Sequence, residues 1–494
     1  MLVIVPDTLH IHKRGFGSLY NFLNQKEIKT LYVSEYNEYK SKYGNYKEDK
    51  DFFLEEYERL KTLTKDELFN KRLFNINIFL LAKAEIMSYV LTKKNWYRKE
   101  IKNIDTEIFD KLFKENKEEL LLNMSVTIFW LKYWKKKISF QQYKKATHAI
   151  VFSGSLIYVK TFLNILENTK IKVYLVEHFF TGKDFYLENK HTHTANNTDL
   201  KYKNVFEYKK KLFKDVDLKE KEKEKERTYK RIKNAKNKNV VQPEKTEEIF
   251  FENKNKTILI MGQVINDFSI IETNNENINS LFIYKELIKK LLEETELNII
   301  LKTHPWEKKK INIGKSLTKE EITKEFKNKR LKIVEDYNLE KLIEDSDYIC
   351  GLCTQSLIEA TLKGKKTHQF GNAFYGEKGF TFDYKNIVDL VKNLKTEPKS
   401  NLTIKEYIDF EEWLTITFKE LFNVEDELNK YYKYFNVNKK QIKSLNPNDF
   451  KEKIMSKILN KNKYKKYKLQ RDKFYIDIKN PLIKRIFKYF HGIK

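Results

Sequence analysis

The sequence predicts an α/β fold in which two Rossmann-like β/α/β domains face each other across a cleft, with helical additions and a basic helical C-terminal tail. Short apolar segments rich in β-branched residues alternate with amphipathic segments in two stretches of the chain. A charged, low-complexity run separates these stretches. The length of 494 residues exceeds what one hydrophobic core usually organises, so two domains are expected.

The composition divides the chain into four parts. They are an N-terminal α/β domain over 1–205 with a helical insertion at about 52–140, a charged linker over 206–248, a C-terminal α/β domain over 249–395 and a basic helical tail over 396–494. The charged run predicts an exposed helix or a mobile linker. A nucleic-acid-binding arm is the alternative, and the interleaved glutamates argue against it.

Four apolar segments predict the strands of the N-terminal domain. They are MLVIV at 1–5, KTLYVSEY at 29–36, THAIVFSG at 147–154 and IKVYLVEHFF at 171–180. The last two flank an amphipathic segment, and this β-α-β pattern is typical of parallel strands. Apolar residues at spacings of three and four predict that the insertion is mainly helical.

The C-terminal domain repeats the alternation of strands and helices. Its predicted strands are KTILIMG at 256–262, LNIILKTHP at 297–305, LKIVED at 331–336, DYICGLC at 347–353 and KKTHQFG at 365–371. Its predicted helices are SLFIYKELIKKLLEETE at 280–296, NLEKLIEDS at 338–346 and SLIEATLKG at 356–364. Open α/β sheets bind ligands at the carboxyl ends of their strands. The polar residues there are the candidate site: Gln263 and Asp267, His304 and Pro305, Thr354 and Ser356, and Gly371.

The formal net charge of +27 indicates a polyanionic partner: nucleic acid, an anionic membrane surface or a nucleotide-linked substrate. Lysine far outnumbers arginine, whereas phosphate-binding surfaces favour arginine, so part of this charge reflects a compositional bias. The tail interleaves basic and aromatic residues, which suits an anionic bilayer surface; an ordinary packed helix is the alternative. With no signal peptide or bilayer span evident, we expect a cytoplasmic protein, peripheral to the inner face of the cytoplasmic membrane.

Several residues of the C-terminal half suit a nucleotide-sugar site. Lys302 and His304 can contact phosphate. Thr354 and Ser356 precede a helix, whose start favours an anion, and Glu359 one turn later can accept hydrogen bonds from a ribose. The only two cysteines, Cys350 and Cys353, exclude a disulfide framework and lack the further ligands that zinc requires.

Four motifs follow one another in the C-terminal half of the chain. They are GQVINDFSI with Gln263, Asp267 and Ser269; Lys302-Thr303-His304-Pro305; CTQSLIEATLKGKK with Thr354, Ser356, Glu359, Ala360, Gly364 and Lys365; and GNAFYGEKGFT with Gly371, Phe374, Tyr375, Gly379 and Thr381. In this order they resemble the bacterial capsule polysaccharide biosynthesis family, whose best-known members are β-Kdo transferases. A looser upstream motif offers Glu177, Glu188 and Asn196 or Asn197. The resemblance covers roughly residues 145 to 385.

The resemblance implies a GT-B-type glycosyltransferase that moves an acidic sugar, with Kdo expected, from a CMP-sugar donor to a lipid-linked acceptor held on the N-terminal side. Lys302, His304, Thr354 and Ser356 are expected to bind the nucleotide, assisted by Glu359. Gln263 and Asp267 are expected to face the sugar. A retaining β-Kdo transfer needs a carboxylate near the anomeric carbon. Asp267 is the candidate, and Glu177 and Glu188 are the alternatives.

The resemblance implies no cofactor and no metal, with the CMP-sugar acting as donor substrate. A capsule assembly complex is a further expected partner, and nucleic acid is not. A sialyltransferase and a CDP-glycerol-type polymerase remain alternative transferase interpretations. A basic nucleic-acid-binding protein and a non-enzymatic scaffold are the alternatives from other classes; the former would need clustered arginine and aromatic residues, which do not stand out.

Overall fold

The computed structural model describes residues 1–12, 16–181, 185–188, 201–233, 247–273, 276–310 and 312–421. The basic tail beyond residue 421 and the predicted Asn196 and Asn197 lie outside the described residues. Glu188 is described by its backbone only.

The N-terminal domain is built on a five-stranded sheet. Its strands and a small hairpin are β1 (Leu2–Val5), β2 (Lys29–Tyr32), β3 (Arg72–Leu73), β4 (Ile76–Asn77), β5 (His148–Phe152), β6 (Lys172–His178) and β7 (Phe185–Glu188). The sheet has the order β2-β1-β5-β6-β7, and β3 pairs with β4 separately. The first four strands of the sheet are parallel, while β7, which the sequence did not predict, runs antiparallel to β6.

Helices cover this sheet and form the insertion. They are α1 (Gly17–Gln25), α2 (Leu54–Lys61), α3 (Lys65–Phe69), α4 (Ile78–Val90), α5 (Lys94–Tyr97), α6 (Asp105–Glu115), α7 (Lys117–Ser139), α8 (Gln141–Lys144) and α9 (Ile157–Leu166). The long helix α7 is apolar on most sides because it packs between α4, α2 and α9. Trp134 on α7 is fully buried, and its indole N–H donates to the carbonyl of Tyr158 on α9.

The charged run contains helices where the structure describes it. They are α10 (Lys203–Lys214) and α11 (Leu218–Lys233). Both pack against the last described helix, Ile404–Leu421. Lys210 pairs there with Asp409, and Lys225 pairs with Glu411 at 3.3 Å. Of the two sequence interpretations, the helical one therefore fits this part of the run, because mixed-sign charges are satisfied across a helix pair. The domain boundaries themselves stay a prediction.

The C-terminal sheet has six parallel strands. They are β8 (Thr257–Met261), β9 (Asn298–Lys302), β10 (Leu331–Val334), β11 (Tyr348–Gly351), β12 (Thr367–Gln369) and β13 (Thr381–Asp383). Their order is β10-β9-β8-β11-β12-β13, which in chain order is 3-2-1-4-5-6. This is the Rossmann order, and its ligand crevice lies beyond the carboxyl ends of β8 and β11, where the strand order reverses.

Within the described residues, seven helices accompany this sheet. They are α12 (Phe268–Thr273), α13 (Ser280–Glu294), α14 (Leu317–Glu325), α15 (Leu339–Asp345), α16 (Ser356–Leu362), α17 (Ile387–Lys395) and α18 (Ile404–Leu421). The strands are apolar on both faces and almost entirely buried, as a parallel sheet covered by helices requires. The short helix α12 and the edge strand β13 are absent from the sequence prediction.

The two domains contact each other directly through polar groups, two of which are buried. The side-chain amide of Asn279 donates to the backbone carbonyls of Trp96, Tyr97 and Lys99 at 2.7–3.2 Å. Arg98 forms two hydrogen bonds with the buried Glu321, at 2.8 and 2.9 Å. The predicted fold class, two Rossmann-like domains facing a cleft in a GT-B-like arrangement, is confirmed. No helix among the described residues is long and apolar enough to cross a membrane.

Candidate functional site

A cavity of about 560 Å³ lies between the domains, at the carboxyl ends of strands from both sheets. Its C-terminal wall consists of Gln263, Asp267, Phe268, Ser269, His304, Trp306, Lys310, Cys353, Thr354, Gln355, Ser356, Glu359 and Phe374. Its N-terminal wall consists of Leu9, His10, His12, Tyr43, Phe152, Ser153, Ser155, Leu156, Glu177, His178, Phe179 and Phe180. Most of the predicted site residues thus meet in one place.

Gln263, directly after β8, ties two strand ends together. Its side-chain oxygen accepts the backbone N–H of Cys353 at 2.9 Å, and Cys353 follows β11. Its amide nitrogen lies 3.2 Å from the hydroxyl of Ser269 and 3.4 Å from the carboxylate of Asp267. Its own backbone N–H donates to the hydroxyl of Tyr284 at 2.8 Å. Gln263 therefore braces the turn that carries Asp267.

Asp267 stands at the start of α12 and faces the cavity. One carboxylate oxygen accepts the backbone N–H of Ser269 at 2.9 Å and the hydroxyl of Ser269 at 2.8 Å. This is the bonding pattern of a helix N-cap, and it holds the carboxylate in one orientation. The polar turn after β8 thus combines a structural cap with a half-buried carboxylate that lines the cavity.

His304 and Lys310, in the loop after β9, lie beside Asp267. Burial lowers the pKa of His304 to about 4, against the opposing effect of the Asp267 charge. The ring is therefore neutral near pH 7. Its Nδ1 accepts the backbone N–H of Trp306 at 3.1 Å, which leaves the ring proton on Nε2. Burial also lowers the pKa of Lys310, which Asp267 again opposes.

The turn after β11 and the helix α16 that follows it supply hydroxyls and a second carboxyl. Thr354 accepts the backbone N–H of Ser356 through its hydroxyl at 3.3 Å, so both residues are positioned at the start of α16. Burial raises the pKa of Glu359 to about 7, so this carboxyl is partly protonated at neutral pH. Gln355 reaches across the cavity and accepts the backbone N–H of Phe180 at 2.9 Å, which joins the two walls.

Four predicted site residues do not line the cavity. Lys302 is buried, with its ammonium donating to the carbonyls of Glu335 and Thr303 at 2.6 and 3.0 Å, and burial lowers its pKa to about 8. Tyr375 donates its hydroxyl to the carbonyl of Thr354 at 2.7 Å. A Cβ at Gly371 would lie 2.6 Å from the backbone of Leu352, so this glycine permits close packing of two strand ends. Pro305 follows His304 outside the lining.

The N-terminal wall carries Glu177, at the end of β6, and a buried pair that the sequence interpretation missed. Asp7 is fully buried after β1, and its carboxylate accepts Nδ1–H of His10 at 2.7 Å. Although burial alone has the opposite effect, this hydrogen bond and the Asp7 and Glu177 charges raise the pKa of His10. In the sequence, the pattern Asp-x-x-His directly after a predicted strand could have indicated this pair.

Lys310 was missed as well. The sequence interpretation chose Lys302 because it stands in the Lys-x-His-Pro motif, but the described cavity is lined by the lysine eight residues further on. A 3-10 turn at Glu307–Lys309 leads the chain back so that the Lys310 ammonium lies 5.6 Å from the centroid of the Tyr43 ring, on the opposite domain. No local pattern in the sequence indicates that return.

The fold and the cavity define a two-domain α/β protein with a cavity between its domains. Residues 169–408, a little under half of the chain, match the family of capsule polysaccharide biosynthesis proteins. Over this segment the chain is similar to that family, as the four motifs predict. No curated protein matches the chain.

Several solved structures are distantly similar. A β-Kdo 2,4 transferase, KpsC of Thermosulfurimonas dismutans, is 15% identical over 57% of this chain and 86% of its own, with a TM-score of 0.38. The β-Kdo 2,7 transferase of the same KpsC is 16% identical over 57% and 80%, with a TM-score of 0.33. The UDP-GlcNAc 2-epimerase of Methanocaldococcus jannaschii is 13% identical over 88% and 99%, with a TM-score of 0.33.

Proposed function

We propose that the protein is a glycosyltransferase of capsule or surface polysaccharide biosynthesis that transfers an acidic sugar, with Kdo expected, from a CMP-sugar to a lipid-linked acceptor. The observation that carries the proposal is the placement of Asp267, His304 and Lys310 together on one wall of the interdomain cavity. A retaining transfer through a glycosyl-enzyme needs an enzyme carboxylate near the anomeric carbon of the donor, and the donor phosphate needs cationic or N–H partners. This wall carries both kinds of group.

The donor phosphate is proposed to bind at His304 and Lys310. Neutral His304 offers Nε2–H because its Nδ1 is occupied by Trp306. Lys310 offers a cation in a half-buried position where charge is weakly screened. The hydroxyls of Thr354 and Ser356 extend the same wall, and the partly protonated Glu359 can hydrogen-bond a ribose hydroxyl in either direction.

Asp267 is the proposed nucleophile of a retaining transfer. Its oxygen attacks the anomeric carbon, the bond from that carbon to the phosphate oxygen breaks, and the nucleotide leaves with the electron pair. The acceptor hydroxyl then displaces Asp267 from the glycosyl-enzyme. Two hydrogen bonds from Ser269 fix the carboxylate, so little reorganisation is needed at the moment of attack.

The acceptor is proposed to bind on the N-terminal side, at the inner face of the cytoplasmic membrane. Aromatic side chains line that wall, with Phe152, Phe179 and Phe180 among them. The net charge of +27 favours a negatively charged lipid surface. Capsule assembly proteins are the proposed macromolecular partners.

Lys302 would contact the donor phosphate only after its ammonium leaves the carbonyls of Thr303 and Glu335, to which it donates.

The first test is thermal unfolding of the full chain with CMP, CDP, UDP and GDP. A ligand that binds only the folded protein stabilises it by about 2.7 kcal/mol at one hundred times its Kd. We expect a selective rise in Tm with CMP. A selective rise with UDP or GDP would assign a different donor, and no rise with any nucleotide would favour a scaffold or a nucleic-acid-binding protein.

Two lysines on one loop provide a matched pair for this test. Lys308 pairs with Asp336 at 2.8 Å and is not part of the cavity wall, whereas Lys310 lines the cavity. A charge-assisted hydrogen bond contributes about 1.5–3 kcal/mol, so Lys310→Ala should weaken CMP binding roughly 10- to 150-fold. Lys308→Ala should bind CMP as the wild type does. Equal affinities in both variants would remove Lys310 from the donor site.

A further inference from the structure

Several buried polar contacts hold the turn after β1, and most of them converge on Asp7. Asp7 accepts the backbone N–H groups of Leu9 and His10 at 2.8 and 3.0 Å, in addition to the His10 ring. Tyr158 on α9 donates its hydroxyl to the same carboxylate at 2.5 Å. The Asp7 side chain is 0% exposed and that of His10 is 20% exposed, so only the imidazole reaches the cavity.

A second set of contacts fixes the backbone of this turn. The buried ammonium of Lys40 donates to the carbonyls of Pro6 and Val33 at 3.1 and 3.0 Å. His10 itself stacks on Phe152 with ring centroids 4.7 Å apart and planes 7° apart. The imidazole therefore has one position and one orientation, which is what a group that transfers protons requires.

The tautomer of His10 follows from its partners. Because Nδ1–H is held by Asp7, a neutral ring carries its lone pair on Nε2. The hydroxyl of Ser41 lies 3.4 Å from Nε2, which is compatible with an acceptor at that atom. Proteins orient a histidine general base in this way: a buried carboxylate accepts Nδ1–H, and the lone pair on Nε2 points to the substrate side. Asp7 and the cavity-lining His10 form this arrangement.

We propose that His10 is the general base that deprotonates the acceptor hydroxyl, with Asp7 and Tyr158 as positioning residues. The inference rests on the proposed function. The hydroxyl proton moves to Nε2 of His10, and the oxygen forms a bond to the anomeric carbon. The bond between that carbon and the Asp267 oxygen breaks, and Asp267 leaves as a carboxylate. His10 belongs to the N-terminal wall and Asp267 to the C-terminal wall of the same cavity, so the proposed base and the proposed nucleophile come from different domains.

Among the described residues, Asp7 and Tyr158 contact His10, the charge of Glu177 acts on it, and Lys40 interacts with Asp7 from behind. Glu177 is the competing base, because it lines the same wall and its charge acts on His10. An experiment must therefore separate these two residues. It must also separate a failure of the base assignment from a failure of the proposed donor.

Chemical rescue distinguishes His10 from Glu177 as the base and does not require a known acceptor. CMP release from CMP-Kdo is measured with water as the acceptor, with and without azide, which attacks without losing a proton. His10→Ala should slow release on the order of 10²-fold, and azide should restore it and give the Kdo azide. Asp267→Asn should not be rescued. Rescue of Glu177→Ala but not of His10→Ala would overturn the proposal, as would an unchanged rate in His10→Ala.

A measurement without any donor tests the His10–Asp7 pair independently of the proposed donor. An NMR titration of the imidazole Cε1–H should place the His10 pKa above the ordinary value near 6.5, and Asp7→Asn should lower it. Should Asp7→Asn fail to fold, Tyr158→Phe removes one contact to Asp7 and should change the His10 titration in the folded protein. A His10 that titrates at or below its ordinary pKa with Asp7 intact would overturn the dyad, whatever the donor is.

Discussion

Replacing Gln263 by methionine tests the account of why β8 ends in polar side chains. Methionine has nearly the same length and flexibility, but it cannot accept the Cys353 N–H or donate to Ser269. A buried N–H left without a partner costs about 1–3 kcal/mol, and the 3.2 Å bond to Ser269 contributes about 0.5–1.5 kcal/mol. The 3.4 Å contact to Asp267 is too long to add much.

The expected loss in free energy of unfolding for Gln263→Met is therefore about 2–4 kcal/mol. Urea unfolding followed by tryptophan fluorescence measures it, with Gln142→Met as the control. Gln142 is exposed at the start of α8, so its substitution should change stability by less than about 0.5 kcal/mol. A change as small as the control's in Gln263→Met would refute the bracing role of Gln263 and leave the turn after β8 without its structural explanation.

Two further predictions concern buried titratable groups. Glu85 accepts the hydroxyl of Tyr46 and the backbone N–H groups of Gly44 and Ile157, so Glu85→Ala should lower the free energy of unfolding by at least about 3 kcal/mol in urea titrations, and Glu85→Gln by less. Burial lowers the pKa of His368 to about 3, so below pH 6.5 the unfolded state binds a proton that the folded state does not. As the pH falls from 6.5 to 4.5, His368 should therefore lower the free energy of unfolding by about 2–3 kcal/mol. Urea titrations at both pH values should show that His368→Phe removes this part of the pH dependence. A pH dependence in His368→Phe equal to that of the wild type would contradict the prediction.

The strands were predictable because their signal is local. Short β-branched runs such as Thr257–Met261 and Asn298–Lys302 are bounded by polar turns, and both form central strands. The strand order depends on contacts between distant segments, so it could not be read from these runs. The three-residue strand Thr381–Asp383 is too short to carry a pattern of its own and exists because it pairs with Thr367–Gln369.

Side-chain direction explains most of what the sequence interpretation missed in the cavity. Lys302 is the last residue of β9, and its ammonium is captured by the carbonyl of Glu335 beyond the neighbouring strand β10. Lys310 reaches the cavity only through the fold of its loop. Asp7 and His10 are residue types common in turns, and nothing local shows that one is fully buried and the other faces a cleft.

The most direct test of the proposed transferase is CMP release from CMP-Kdo by the wild type and by Asp267→Asn. Asparagine is close in size to aspartate and also caps helices, so the turn after β8 should fold while the nucleophile is lost. We predict that the wild type releases CMP well above the buffer rate and that Asp267→Asn, although it still binds CMP, loses at least about 10²-fold of that rate. Equal rates in the two proteins, or no release above buffer by the wild type, would contradict the account.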